Sequence, residues 1–303
     1  MKALIIGYGS IGSRHADILR DMGLEVSIVS SRKETFLGCY PNTREALDAT
    51  SPDYVVIANK THEHHSSLQE LATLGFRGTV LIEKPLFHEV NAAPVNEFSA
   101  VHVGYNLRFH PLILRLKEIL AGQQLVSAQI YAGQYLPLWR PERDYRQTYS
   151  SRRENGGGVL RDLSHELDYV NWLFGGWKSL TALGGRYSSI EIESDDAFSI
   201  LMATERCPMV QIHLNYLDRA SRRELLINLD QATVKIDLVK GTGQINSDEF
   251  QYDVPRNSTF RKLHQAVLDR DEDKLCSLEE GMEIIKMIDA IELSAQKQTW
   301  IIK

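Results

Sequence analysis

Lys84 sits in Glu83-Lys84-Pro85-Leu86, directly after the apolar run Val80-Leu81-Ile82. Such a run reads as a buried strand, so the lysine falls at a strand's carboxyl end, where open α/β sheets bind ligands. An amine there can hold a substrate hydroxyl and lower its pKa. Taken alone, a solvated charge after a strand is the default reading. Downstream, Asp162 and His165 stand three residues apart behind Gly156-Gly157-Gly158. On a helix beginning near Leu160 the two share a face, close to Asp168 and Trp172. A carboxylate beside an imidazole fixes its tautomer and raises its basicity, as a general base requires. The competing reading is a helix N-terminal carboxylate next to a buried, satisfied histidine.

Gly7-Tyr8-Gly9-Ser10-Ile11-Gly12 is a GxGxxG between an apolar run and a helical pattern. Gly7 permits the tight turn, Gly9 lets backbone approach a pyrophosphate, and Gly12 allows close helix–strand packing. The N–H groups of Ser10, Ile11 and Gly12 open the helix and suit an anion. This predicts a dinucleotide site. The second strand, Val26 to Val29, ends in Ser30-Ser31-Arg32, with no carboxylate for the adenosine ribose. Hydroxyls and a guanidinium suit a 2′-phosphate, which favours NADP(H). NAD(H) with a backbone-held ribose stays open.

The segment Tyr135 to Arg153 carries Trp139 and five arginines, Arg140, Arg143, Arg146, Arg152 and Arg153. Aromatics stack on sugar rings, and arginines clamp carboxylate or phosphate. Tyr135, Trp139, Arg140 and Arg146 are therefore candidate binders of a sugar-like and anionic substrate. His62, His64 and His65 lie within four residues but lack further ligands at metal spacing, so no metal is expected.

These residues need elements to hold them. Short apolar runs at Ala3–Ile6, Val26–Val29, Tyr54–Ala58, Val80–Ile82 and Val101–Val103 alternate with helical stretches such as Ile11–Met22 and Ser66–Leu74. Alternation of this kind predicts an α/β domain with a doubly wound parallel sheet over residues 1–115. Residues 116–303 read differently. Helices over Pro111–Leu120 and Leu160–Phe174 flank a strand at Leu125–Tyr135 and a loop at Pro137–Gly158. Runs at Phe198–Ala203, Val210–Tyr216, Leu225–Leu229 and Thr233–Leu238 follow without helices between them. That predicts an α+β domain with a large, mostly antiparallel open sheet. Helices over Phe260–Leu268 and Leu278–Gln296 close the chain.

Composition sets outer limits. The 303 residues are 43% hydrophobic and 24% charged, enough apolar surface for packed cores. A net charge of −6 argues against nucleic acid or an anionic membrane as the main partner. Cys39, Cys207 and Cys276 are scattered and odd in number, which points away from a disulfide framework and toward a reducing cytoplasm. No apolar run approaches a membrane span, and Met1-Lys2-Ala3-Leu4-Ile5-Ile6 reads as a buried strand, not a signal peptide.

In combination the motifs resemble the Gfo/Idh/MocA family, named for glucose–fructose oxidoreductase and inositol dehydrogenase. The matching stretches are the glycine turn with Arg14-His15, Ala58 to His64, Glu83 to Leu86, Val103-Gly104-Tyr105-Asn106-Leu107-Arg108-Phe109-His110-Pro111, and Gly156 to Gly176. The resemblance implies a Rossmann domain, a second α+β domain, a homodimer or homotetramer built through the open sheet, and NAD(P)-dependent oxidation or reduction of a sugar, cyclitol or sugar-nucleotide. It makes Lys84 the contact to the reacting hydroxyl, and Asp162 and His165 the pair of the family's Asp–His motif, here one residue closer together. It places Asn59, Lys60, His64, Glu83, Asn106 and Arg108 on the cofactor side, with Arg108 also lining the substrate cleft. A non-catalytic NAD(P)- or sugar-binding sensor is the alternative, since fold does not guarantee activity.

Overall fold

A computed structural model describes residues 1–30 and 38–303. In chain order its elements are β1 (Lys2–Ile6), α1 (Ser10–Asp21), β2 (Glu25–Val29), β3 (Cys39–Tyr40), α2 (Thr43–Thr50), β4 (Tyr54–Ile57), α3 (His64–Thr73), β5 (Thr79–Ile82), β6 (Ala100–Val103) and α4 (Pro111–Ile119). Then come β7 (Leu125–Gly133), α5 (Val159–Asp162), α6 (Ser164–Phe174), β8 (Trp177–Gly185), β9 (Ala197–Thr204), β10 (Val210–Asn215) and β11 (Arg222–Leu229). The last are β12 (Thr233–Asp237), β13 (Thr242–Ile245), β14 (Asp248–Gln251), α7 (Ser258–Asp269), β15 (Cys276–Ser277), α8 (Leu278–Lys297) and β16 (Ile301–Ile302).

The chain forms two units. The first comprises Met1–Phe109 and Arg256–Ile285, the second His110–Pro255 and Lys286–Lys303. The sequence places a single boundary after residue 115, whereas the chain changes unit at 109/110, 255/256 and 285/286. The return of Arg256–Ile285 has a physical reason. Asn106 Nδ2 donates to Thr259 Oγ1 at 2.7 Å, and Arg108 donates to the Leu275 carbonyl at 3.1 Å and to Glu280 at 2.9 Å. Leu263, Ala266 and Val267 of α7 pack into the same apolar cluster as Ile5, Val56 and Leu81.

The first unit holds a seven-stranded sheet of order β15-β6-β5-β4-β1-β2-β3, parallel except for β15. Strand β4 reads Tyr-Val-Val-Ile and is buried throughout, as a central strand covered on both faces must be. The chain order reverses between β1 and β4, so the crevice beyond their carboxyl ends is where such a sheet takes ligands.

The second unit holds a nine-stranded sheet of order β14-β13-β12-β11-β7-β10-β9-β8-β16, antiparallel except where β7 meets β10. Burial alternates along β9, β10 and β11, which separates a buried face from an open one. On the buried face α6 reaches β11 through Glu166 and Arg223 at 2.8 Å, and α8 reaches β8 through Ser294 Oγ, which accepts from Ala182 N at 3.0 Å. On the open face Arg222 lies 4.2 Å over the Tyr131 ring, which stacks on His213 at 5.1 Å. The expected loop over Pro137–Gly158 is a series of short 3-10 turns.

The expected single helix Leu160–Phe174 is interrupted. Leu163 has φ −99° and ψ 29°, so α5 ends at Asp162 and α6 starts at Ser164. Asp162 and His165 therefore belong to different helices, and the shared-face argument for them does not hold. Gly158, with φ +117°, starts α5 against Asp195, whose carboxylate fills the space a Cβ would need and accepts from Leu160 N at 3.2 Å.

Burial, reinforced by Glu292, pushes the Asp195 carboxyl up to about 6 from an ordinary 3.8, although the Leu160 N–H and Arg161 oppose it. An acid whose pKa is raised on folding costs the native state stability as pH rises through that window. Asp195→Asn should therefore raise the melting temperature at pH 7.5 by a few degrees and change little near pH 4, with calorimetry across pH as the check. A stability–pH slope between pH 4 and 6 that survives in the variant would contradict this.

Candidate functional site

The first unit supplies a site for a dinucleotide. Gly7 has φ +96°, and a Cβ on it would stand 2.5 Å from Asn59 Cα. A Cβ on Gly12 would collide with the Gly7 carbonyl oxygen. The turn after β1 thus lies directly on Asn59, the second residue after β4, where the sheet order reverses. Gly9 caps α1 with no side-chain acceptor, the first turn carries no acidic residue, and space above Gly9 is open to 4 Å. A helix start leaves its first N–H groups, those of Ser10, Ile11 and Gly12, outside the intrahelical ladder. This donor set fits a pyrophosphate.

Ser30 is buried, and its N–H donates to the Tyr40 carbonyl at 3.2 Å. Ser31 and Arg32 lie outside the described residues. Asn59 Nδ2 donates to Ser67 Oγ at 2.8 Å, while its Oδ1 is buried with no partner among the described residues. Lys60 is exposed. The three clustered histidines diverge. His64 is buried, with Nδ1 at 3.1 Å from both the Pro85 and Leu86 carbonyl oxygens and Nε2 at 3.3 Å from that of Asn59. Burial holds its pKa below the ordinary value. His65 Nε2 lies 3.0 Å from the Ala92 carbonyl oxygen.

Glu83, at the end of β5, is buried and has His15 Nε2 at 2.8 Å from Oε1 and the Lys84 N–H on Oε2 at 3.1 Å. Burial alone would raise its pKa; the His15 bond and the Lys84 charge outweigh burial and hold it below the ordinary value. His15 Nδ1 lies 2.8 Å from His264 Nε2, and His264 Nδ1 lies 2.9 Å from the Tyr54 hydroxyl. Lys84 is half-buried beside this line. Arg108 departs from its expected place on a ligand cleft. It is 1% exposed, and its guanidinium is bonded to Glu280 and the Leu275 carbonyl. Asn106 is likewise turned onto Thr259.

In the second unit Asp162 is buried, with the Tyr216 hydroxyl donating to Oδ2 at 2.6 Å and the Tyr149 hydroxyl bonded to the same carboxylate. Burial, followed by the Asp162 charge, pushes both phenols well above their ordinary value, so both remain donors. The Trp139 ring stands edge-on to Tyr216 at 5.3 Å, and Arg140 lies close enough to Tyr149 for its charge to act on the phenol. His165, also buried, is the second residue of α6. Tyr135 carries Arg219 over its ring at 3.4 Å. Arg146, expected to clamp a substrate, is bonded to Asp144 at 2.9 Å and Glu191 at 2.8 Å. Arg153 pairs with Glu292 at 3.0 Å. Among the described residues no ion pair occupies Arg140.

No local pattern singles out Tyr54, His264 or Tyr216. Each acts through a partner more than fifty positions away, His264 through His15 at 249. His15 alone carried a signal, as the histidine following the glycine turn.

Residues 1–97 match the oxidoreductase family with an NAD-binding Rossmann fold, and residues 113–235 match the GFO/IDH/MocA C-terminal domain. The chain belongs to this family. It is 30% identical over 159 residues to an uncharacterized oxidoreductase of Synechocystis sp., a stretch covering 47% of this chain and 40% of that relative. Its fold is similar over 100% of its length to levoglucosan dehydrogenase in complex with NADH, with TM-score 0.85, 15% identity and 98% of that chain covered. The WlbA dehydrogenase from Bordetella pertussis, in complex with NADH and UDP-GlcNAcA, gives TM-score 0.80 at 19% identity, with 100% of this chain and 98% of that one covered.

Tyr216→Phe removes one donor from a buried carboxylate, a loss worth roughly 1.5–3 kcal/mol. The melting temperature should fall by about 3–6 °C, measured by calorimetry at pH 7.5. An unchanged value would show that Asp162 does not depend on that hydroxyl.

Proposed function

We propose that the protein is an NAD(P)-dependent oxidoreductase that moves hydride between the cofactor and a secondary alcohol or ketone of a sugar, sugar acid or sugar-nucleotide. One observation carries the proposal. The uncapped, glycine-walled start of α1 lies at the sheet reversal, and Glu83-Lys84 stands two strands away at the end of β5. A bound nicotinamide would supply the hydride chemistry.

The chain's own residues supply positioning and proton handling. In the oxidative direction Lys84 Nζ holds the substrate oxygen as it becomes an alkoxide, and His165 takes its proton. Asp162, fixed by Tyr149 and Tyr216, orients the base or the substrate. Trp139 and Tyr135 offer stacking surfaces, and Arg140 offers a cation for an acidic substituent. The likeness in fold to levoglucosan dehydrogenase and to the WlbA dehydrogenase in complex with UDP-GlcNAcA supports a sugar-like substrate. The open face of the second unit's sheet is the proposed surface for a homodimer or homotetramer, and the cytoplasm the proposed compartment. Among the described residues no helix is long and apolar enough to cross a membrane.

The break at Leu163 favours one competing reading, a non-catalytic sensor, because it separates Asp162 from His165. Hydride transfer to any member of a broad sugar panel excludes it. Tight cofactor binding with no turnover on that panel selects it.

Lys84→Ala should lower kcat by at least ~100-fold with cofactor affinity retained, read by steady-state kinetics and cofactor titration. Near-normal turnover would remove Lys84 from the mechanism. We also assign NADP(H) as the preferred cofactor, on Ser30, Ser31 and Arg32. Side-by-side titration should show tighter NADP(H), and Arg32→Ala should weaken NADP(H) at least ~tenfold while leaving NAD(H) unchanged. Tighter NAD(H) binding by the unaltered protein reverses the assignment. Arg140→Ala should raise KM for a carboxylate-bearing sugar ~tenfold or more, and Arg146→Ala less than ~threefold, because Asp144 and Glu191 already occupy Arg146. The opposite ranking would point to Arg146 as the anion contact.

A further inference from the structure

Tyr54, His264, His15 and Glu83 form one buried hydrogen-bonded line in the first unit. The separations are 2.9 Å from the phenol oxygen to His264 Nδ1, 2.8 Å from His264 Nε2 to His15 Nδ1, and 2.8 Å from His15 Nε2 to Glu83 Oε1. Tyr54 and both histidines are 0% exposed, so water cannot replace any of these partners. An ionised carboxylate only accepts, so His15 must present Nε2–H to it. As the Nε2–H tautomer the ring accepts at Nδ1, and the donor is His264 Nε2–H. His264 in turn accepts at Nδ1, and the donor is the Tyr54 hydroxyl. One direction satisfies every atom: phenol to imidazole, imidazole to imidazole, imidazole to carboxylate.

The two ends enforce that direction. Burial, then the nearby His15, holds His264 well below the ordinary histidine value, which keeps it neutral. Burial, then the Glu83 charge, keeps Tyr54 protonated. The other ionisable groups close to the line are Lys84 and His64 beside Glu83, and Arg14, whose guanidinium lies 5.3 Å from the Phe260 ring that meets His15 edge-on.

We propose that Tyr54 and His264 are positioning residues that lock His15 as its Nε2–H tautomer, and so keep Glu83 ionised and fix the carboxylate that receives the Lys84 N–H. The line sets where Lys84 leaves the end of β5. This rests on the reading of Lys84 as the contact to the reacting hydroxyl, and the test separates the two.

The test uses the full chain labelled with nitrogen-15 at histidine. Ring-nitrogen shifts and couplings at pH 7.5 should show Nε2–H tautomers for both His15 and His264. Tyr54→Phe removes the terminal donor while keeping the ring. It should move His264 away from a pure Nε2–H state, shift the acid limb of the kcat profile upward by at least half a pH unit, and leave the cofactor Kd within twofold. The upward sign follows because Glu83 loses stabilisation of its charged form and protonates at higher pH. His264→Gln should shift the limb further. Mass-spectrometric labelling of Lys84 with an amine-reactive probe gives a readout that needs no turnover, and the labelling rate should change at least twofold in Tyr54→Phe. An Nδ1–H tautomer for His15 in the unaltered protein overturns the proposal. So does a Tyr54→Phe variant with unmoved tautomers and unmoved Lys84 labelling. If no sugar is turned over but tautomers and labelling respond as described, the positioning claim stands and the oxidoreductase reading fails.

Discussion

A carboxylate taken out of water keeps its charge only where donors take the solvent's place. Glu83 is such a group, and much of the first unit is arranged around it. Its two oxygens are met by an imidazole from α1 and by the backbone N–H of its own neighbour. The imidazole needs a donor behind it, and that donor comes from α7. Gly104 has no side chain where a Cβ would press on the carboxylate at 3.1 Å. The return of Arg256–Ile285 to the first unit is therefore more than an apolar patch on the sheet. It brings the ring that holds His15 in orientation, the hydroxyl that holds Asn106, and the carboxylate and carbonyl that hold Arg108.

The second unit solves the same problem differently. Asp162 is also buried, yet it is met by neutral phenols instead of an imidazole. A phenol pushed above its ordinary pKa cannot compete for the carboxylate's charge, so it stays a donor across the physiological range. Two phenols from outside its own helix thus hold the aspartate. Elsewhere in the segment Tyr135 to Arg153 the cations are mostly committed. Arg146 and Arg153 face Asp144, Glu191 and Glu292, and they tie the segment down. A count of arginines therefore overstates the positive charge on offer to a ligand.

What could be read from the sequence follows the range of each interaction. The alternation of apolar runs in the first hundred residues gave the parallel sheet, because period and run length are local properties. The glycine turn was legible for the same reason, since backbone conformation and close packing at Gly7 and Gly12 are dictated within a few residues. The break at Leu163 was not legible. Val159 to Phe174 carries no proline and no internal glycine, so no local residue type marks the interruption. Nor was the inward turn of Arg108 legible, because Leu275 and Glu280 lie more than 160 positions away. The ligand-facing reading of a motif residue assumes its side chain follows the motif's backbone, and a carboxylate and a carbonyl from a distant segment redirect it.

The direction of the buried line bears on how such a site tolerates pH. With His264 neutral and Tyr54 protonated, neither carries charge, and Glu83 holds its own. Protonating His264 would place a donor at Nδ1 against the phenol oxygen, which would then need an acceptor of its own in a region without water. Burial, then the nearby His15, holds the His264 pKa well below the ordinary value. Protonating Glu83 would leave His15 Nε2–H facing a carboxylic acid and weaken the bond that fixes it. The line therefore resists a proton at either end. The Lys84 backbone keeps an ionised acceptor down to the pH at which Glu83 itself titrates, and that pH lies below the ordinary carboxylate value.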